Sequence, residues 1–162
     1  MREYVRRYGD SVAGIGIDTW GVDFGLLSSE GTLLENPVHY RDRRTEGMLE
    51  EVRRRIAPEV LFQRTGMGLA PINTSVQLLA LRVRHSSVLA MAAKLLMMPD
   101  LFAYFLTGQK YCERSQAITT QLYDPWKGLW CEEVMRVLGL PLSLMPELVD
   151  PATTMGDLRE GV

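Results

Sequence analysis

The chain has 162 residues, 46% of them apolar, and a formal net charge of −2 from 18 basic and 20 acidic side chains. That length and apolar content suffice for a buried core and exclude a disordered chain, and the near-neutral charge gives no global electrostatic reason to bind nucleic acid or an anionic membrane. The cysteines, Cys112 and Cys131, and the histidines, His39 and His85, are too scattered to make a zinc-type ligand set, so the thiols read as ordinary core or partly exposed groups in a reducing compartment.

The first segment, MREYVRRYGD, carries charges every two or three residues and no apolar run of signal or membrane-span length, so a cytoplasmic protein is expected. Tyr4, Val5 and Tyr8 fall at helical spacing and Gly9 suits the residue after a helix end, which predicts the last turns of a helix begun before Met1. From Val12 to Leu27 the pattern is apolar and β-branched. Ser28-Ser29-Glu30-Gly31 then supplies turn chemistry before a second run, Thr32 to Tyr40, and together they predict two strands in a hairpin.

Helices follow. Met48, Leu49, Val52 and Ile56 share one face opposite Glu50, Glu51, Arg53 and Arg54. Pro58 fits the first turn of a short helix that Gly66 ends, Asn73 or Thr74 can cap a helix through Arg84, and Ser86 or Ser87 another through Leu96. Pro99 starts a helix closed by Gly108, and Trp130 to Leu138 forms a last one with Gly139 at its end. The tail from Pro146 is turn-rich. Two strands followed by helical segments read as an incomplete α/β domain, because a two-stranded sheet is rarely stable alone and the missing strands should come from sequence outside the chain.

The sharpest functional signal is GIGIDTWGVDFGLL, Gly14 to Leu27, read as a strand that ends in a Trp-Gly corner between two carboxylates, Asp18 and Asp23. As a phosphate loop it is poor, because backbone N–H groups must approach phosphate oxygens closely and the Trp20 indole obstructs that approach. No GxxxxGK[ST] or GxGxxG occurs, and Thr65-Gly66-Met67-Gly68 reads as a helix end. As a sugar or polyol site it has the right parts: an aromatic face (Trp20) for the C–H side of a ring, a glycine (Gly21) and a carboxylate (Asp23). Blander readings stand beside it, with Trp20 a core aromatic, Asp23 paired to Arg41 or Arg43, and Asp18 a helix cap. Metal-dependent phosphodiester hydrolysis would need Asp18, Asp23, Asp42 and Asp100 to converge, which no spacing requires. Tyr40 to Thr45 reads as an ion-paired corner with Thr45 as N-cap, and Arg53 to Arg55 as a solvated helix face. No GxSxG or Cys/His arrangement suggests a covalent nucleophile.

GIGIDTWGVDFGLL, NPVHYRDRRT (Asn36 to Thr45), QRTGMGLAPINTSVQLLAL (Gln63 to Leu81), LLMMPDLFAYFLTG (Leu95 to Gly108) and ITTQLYDP (Ile118 to Pro125), in that order, resemble the FGGY family of carbohydrate kinases. The resemblance implies a two-domain kinase of the actin-like, ribonuclease H-like ATPase fold that uses ATP and Mg²⁺ to phosphorylate a sugar, L-rhamnulose or a similar ketose, in the cleft between domains. It also implies that Gly21 matches a glycine that touches the ketose, with Trp20 and Asp23 as neighbours, and that Asn73 and Thr74 match a PxNT segment bordering the sugar pocket. The family's phosphate-binding strand and loop lie upstream of the matching region. Its catalytic base, an aspartate in a His-Asp-Thr string, lies downstream of the equivalent of Gly156, and neither Asp150 nor Asp157 has those flanking residues. Residues 1–162 are therefore expected to be part of the N-terminal sugar-binding domain, holding no catalytic, cofactor or metal residue and inactive alone, with the remaining part of a split kinase as one conceivable partner. The alternatives are a kinase for another ketose or polyol and a non-catalytic remnant or interaction module.

Overall fold

A computed structural model describes residues 2–9, 13–160 and 162. The expected N-terminal helix is present as α1 (Arg2–Tyr8), and Gly9 ends it with φ of +87°, its N–H donating to the Val5 carbonyl at 2.8 Å. Val12, where the first strand was expected to begin, lies outside the described residues. The rest of that expectation fails over most of its length: residues 13–22 form no strand, and Ile15 and Ile17 are 48% and 39% exposed. A strand persists by hydrogen-bonding a neighbour, and no described strand lies beside this stretch. Only β1 (Phe24–Leu27) is extended and paired.

Its partner is also not the one the hairpin reading supplies. The turn itself forms, with Gly31 N–H donating to Ser28 O at 3.0 Å and Ser28 N–H to Thr32 O at 2.9 Å. The returning chain makes one bridge, Leu27 to Leu33, and then leaves. Pro37 has no N–H for a ladder and constrains Asn36 before it, so the run cannot continue as a paired strand. β1 instead pairs antiparallel with β2 (Lys94–Met97), Phe24 opposite Met97 and Leu27 opposite Lys94.

Between them, Asp42 rather than Thr45 is the capping residue of the Tyr40–Thr45 corner: its carboxylate accepts from Arg44 N–H at 2.8 Å and opens a single 3-10 turn, Arg43–Thr45. Gly47, with φ of +77°, then leads into α2 (Met48–Arg55), which buries Val52 as its apolar face predicts. α3 (Pro58–Thr65) ends at Gly66, and α4 (Thr74–Val83) begins after Asn73. α5 (Ser87–Met91) is capped by Ser86 but stops well short of Leu96, because the apolar run after it is β2. α6 (Met98–Thr107) closes at Gly108 as expected. β3 (Tyr111–Glu113), α7 (Arg114–Thr119), β4 (Tyr123–Asp124), β5 (Leu129–Trp130) and α8 (Glu132–Leu138) follow. Trp130 thus lies in a strand, two residues before the helix it was expected to open. In the tail, β6 (Glu147–Val149) runs parallel to β3, and β4 pairs antiparallel with β5.

The β1–β2 pair is covered on both faces. Phe24, Leu26, Leu95 and Met97 point into the main core with Val52, Leu61, Leu78, Leu79, Met135 and Leu138 from α2, α3, α4 and α8. Leu27 and Leu96 point the other way, to Leu101 and Tyr104 of α6. Side chains of a strand alternate between faces, so burial on both sides requires the continuous apolar runs FGLL and LLM that these strands carry.

Candidate functional site

The corner between Trp20 and β1 lies against the N-terminal end of α4. Gly21 O accepts from Asp23 N–H at 2.9 Å, an i to i+2 bond that closes a γ-turn around Val22, whose φ is +67°. Positive φ is rare for a β-branched residue and costs on the order of 1–3 kcal/mol, so it persists only where neighbours over-determine it. Here Val22 N–H donates to Thr119 Oγ1 at 3.3 Å, while Val22 O accepts from Thr74 Oγ1 at 2.7 Å and Gln77 Nε2 at 3.1 Å. Gly21 is closely packed: a Cβ there would stand 3.0 Å from both Oγ1 and Cγ2 of Thr119, nearer than ordinary contact.

Asp23 is 1% exposed, and both carboxylate oxygens are engaged. Oδ2 accepts from Trp20 Nε1 at 2.7 Å and Tyr40 N–H at 3.2 Å, and Oδ1 from Gln77 Nε2 at 3.4 Å. The arginine pairings read for Asp23 do not occur: Arg41 lies 5.5 Å over the Tyr40 ring and Arg43 reaches Glu46 at 3.8 Å. It is Arg44 that turns inward, donating to Val38 O at 3.2 Å and to Gln77 Oε1. Burial pushes its guanidinium below the ordinary arginine value, against the pull of Asp42 and Asp23.

The sequence-predicted residues therefore divide into two groups. Trp20 is 47% exposed, so it is not a core aromatic; its indole N–H is bound to Asp23 and its ring centroid lies 6.1 Å from that of His39. Gly21 is half-buried beside it. Asp23, Asn73 and Thr74 are buried and serve the scaffold: Asn73 Nδ2 donates to Gly68 O at 2.8 Å, and Thr74 holds Val22. Gln77, Arg44 and Thr119 join the same cluster without having been singled out from sequence. The one available signal was Gln77 in an otherwise apolar helical run, three residues after Thr74 and so on the same face.

The corner does not fit a nucleotide triphosphate. A phosphate cradle needs free backbone N–H groups, whereas those of Val22 and Asp23 are already taken by Thr119 and Gly21. Nor do the carboxylates meet as a phosphodiesterase would need: Asp18 is exposed, Asp42 caps the 3-10 turn, Asp23 and Asp100 are buried with different partners, and no metal-holding group of three His, Cys, Asp or Glu occurs among the described residues. At the other end of α4 a groove of about 550 Å³ is lined by Leu81, Arg82, His85, Leu89, Arg136 and Leu140. Arg82 and Arg136 sit in the last turns of α4 and α8, where the helix dipoles favour cations, which accounts for them. No helix among the described residues is long and apolar enough to cross a membrane.

A two-sided β1–β2 pair flanked by helices, with an exposed indole and a half-buried glycine beside a buried polar cluster, defines a mixed α/β domain. The chain belongs to the FGGY family of carbohydrate kinases: residues 5–162 match the family's N-terminal domain. It is 41% identical over 155 residues to a protein named rhamnulokinase from Enterococcus faecalis, across 96% of this chain and 31% of that protein. To one of the same name from Pectobacterium carotovorum it is 42% identical over 142 residues, across 88% and 29% of the two chains. The chain thus spans about a third of the length of these relatives. Among solved structures, gluconate kinase from Lactobacillus acidophilus superposes with a TM-score of 0.86 at 18% identity, over 98% of this chain and 32% of that one. A carbohydrate kinase from Novosphingobium aromaticivorans gives 0.73 at 27% identity, over 86% and 29%. The mixed helix-and-strand arrangement is accordingly part of the actin-like ATPase fold these kinases carry.

Proposed function

We propose that the chain supplies the sugar-facing part of a cytoplasmic kinase that, in the intact protein, transfers the γ-phosphoryl group of ATP, with Mg²⁺, to L-rhamnulose. Residues 1–162 belong on this reading to its N-terminal, sugar-binding domain. The observation that carries it is the Trp20 indole, 47% exposed yet fixed through its N–H to a buried carboxylate. A fixed, half-exposed aromatic face suits the C–H side of a sugar, and the glycine next to it lets hydroxyls approach the backbone. Trp20 and Gly21 then meet the sugar, while Asp23 and Thr74 hold them in place and Asn73 ties the start of α4 to Gly68. The 41% and 42% identity to proteins named rhamnulokinase favours L-rhamnulose over other ketoses.

No step through ATP or Mg²⁺ is assigned to these residues, since the corner does not fit a triphosphate. The sequence also contains no His-Asp-Thr string. Titrating L-rhamnulose into the chain while following tryptophan fluorescence tests the reading. A saturable change that disappears in Trp20→Phe and survives in Trp126→Phe supports it, and equal responses in the two variants contradict it. In a coupled ADP-release assay the 162-residue chain alone should show no L-rhamnulose-dependent turnover. Measurable turnover would place a catalytic base within these residues.

A further inference from the structure

We infer that Gln77, locked by Arg44, is the positioning residue of the Trp20 corner, setting the indole's orientation through the Val22 turn and the Asp23 carboxylate together. Its consequence for sugar binding rests on the proposed sugar site; its geometry does not.

Gln77 is fully buried in α4, and every polar atom of its amide is used. A guanidinium can only donate, so Arg44 Nη2 must face Oε1, and this fixes the amide with Nε2 turned to three acceptors. These are Ile72 O at 2.8 Å, Val22 O at 3.1 Å and Asp23 Oδ1 at 3.4 Å. Nε2 has two hydrogens, so one is shared. It is the donor that holds Asp23 Oδ1, while Oδ2 of the same carboxylate holds the Trp20 N–H. It also helps Thr74 restrain the carbonyl of the positive-φ residue beside Gly21. A single side chain thus ties α4 to both anchors of the corner: the carboxylate that aims the indole and the turn that places the glycine. Arg44 is itself held, by Val38 O and by the Phe24 ring, 5.5 Å from its guanidinium carbon.

Gln77→Glu is the direct test, because it keeps shape and volume, keeps an acceptor for Arg44 and replaces the Nε2 donor with a charged acceptor facing Asp23. The readout is the indole N–H resonance of Trp20 in ¹H–¹⁵N NMR of the whole chain, assigned by its loss in Trp20→Phe. Trp130, whose Nε1 donates to Pro146 O at 2.8 Å, serves as internal control. A selective shift and faster exchange of the Trp20 resonance, with Trp130 unmoved, is expected; general loosening would move both. Arg44→Lys, which keeps the charge but loses the planar lock on Oε1, should give the same selective change in smaller measure. For L-rhamnulose the dissociation constant should rise roughly tenfold in Gln77→Glu, the loss of about one charge-assisted hydrogen bond. A folded Gln77→Glu with an unchanged Trp20 resonance overturns the inference, whether or not sugar binds. Failure of the unmodified chain to bind L-rhamnulose overturns the sugar-site reading instead, and the indole resonance still decides the role of Gln77.

Discussion

At the scale of single residues, the corner is a strained turn kept in place by hydroxyl and amide groups from two other elements, and this makes Gly21 sensitive to the smallest enlargement. Gly21→Ala brings a methyl to 3.0 Å from two atoms of the Thr119 side chain, which also holds Val22 N–H. The hydroxyl cannot retreat without releasing that N–H, so a destabilisation of about 1–2 kcal/mol is expected, and on the proposed sugar site L-rhamnulose should bind more weakly. Adding Thr119→Ser removes Cγ2 and keeps the hydroxyl, and it should recover part of the loss in a denaturant melt; no recovery would mean that the clash is not what Gly21 avoids. The residues of this corner that are adjacent in sequence, Trp20, Gly21 and Asp23, are legible as a unit in IDTWGVDF. Gln77 and Thr119 are not, since they stand 54 and 97 residues from their partners Asp23 and Val22, and no local pattern encodes a contact closed only by the fold.

At the scale of elements, α6 anchors the turn after β1. Tyr104 is 5% exposed, and its hydroxyl donates to Gly31 O at 2.7 Å while its ring packs with Leu27, Leu96 and Leu101. Tyr104→Phe keeps the packing and leaves that carbonyl without this donor, which should cost about 1 kcal/mol in equilibrium unfolding. An effect near zero would mean that water replaces the hydroxyl at no loss. Elements with explicit punctuation were the ones readable in advance: α1, α3, α6 and α8 all end at glycines with positive φ, and α3 and α6 carry proline in their first turns. The strands were not. β2 is a run buried on both faces, and over four residues such a run has no period that separates it from a continuation of the helix before it. The converse holds at Ala13 to Val22, where an apolar β-branched pattern stands without a neighbouring strand and the backbone stays irregular. Strand identity depends on a partner distant in sequence, whereas a helix satisfies its own backbone.

For the molecule as a whole, one buried group makes stability depend on pH in an unusual direction. Asp100 lies in the first turn of α6, where the helix dipole favours a carboxylate, but it is only 4% exposed. Burial wins and pushes its carboxyl up to about 6, with the Glu113 N–H and the Cys112 thiol opposing the rise and the Glu113 charge adding to it. Burial also pushes the Cys112 thiol up, so that thiol stays protonated beside it. One oxygen of Asp100 accepts from Glu113 N–H at 3.4 Å, and the other, Oδ2, has no partner among the described residues. In the unfolded chain the group titrates near its ordinary value of 3.8. Between those two values the folded state holds a proton that the unfolded state has lost, so this group's contribution to stability falls as pH rises through the window and is flat on either side. The difference amounts to about 3 kcal/mol. Carboxylates such as the half-buried Glu51, held down by Arg55, work in the opposite direction, so the raw profile mixes the two. Comparison with Asp100→Asn isolates the buried group, because every other titration is common to both proteins. Urea unfolding from pH 4 to pH 7 should show the variant gaining on the parent by roughly 2.5 kcal/mol, nearly all of it below pH 6.5. A gap between the two proteins that does not change with pH would show that Asp100 titrates alike in the folded and unfolded chains, and that its second oxygen is solvated after all.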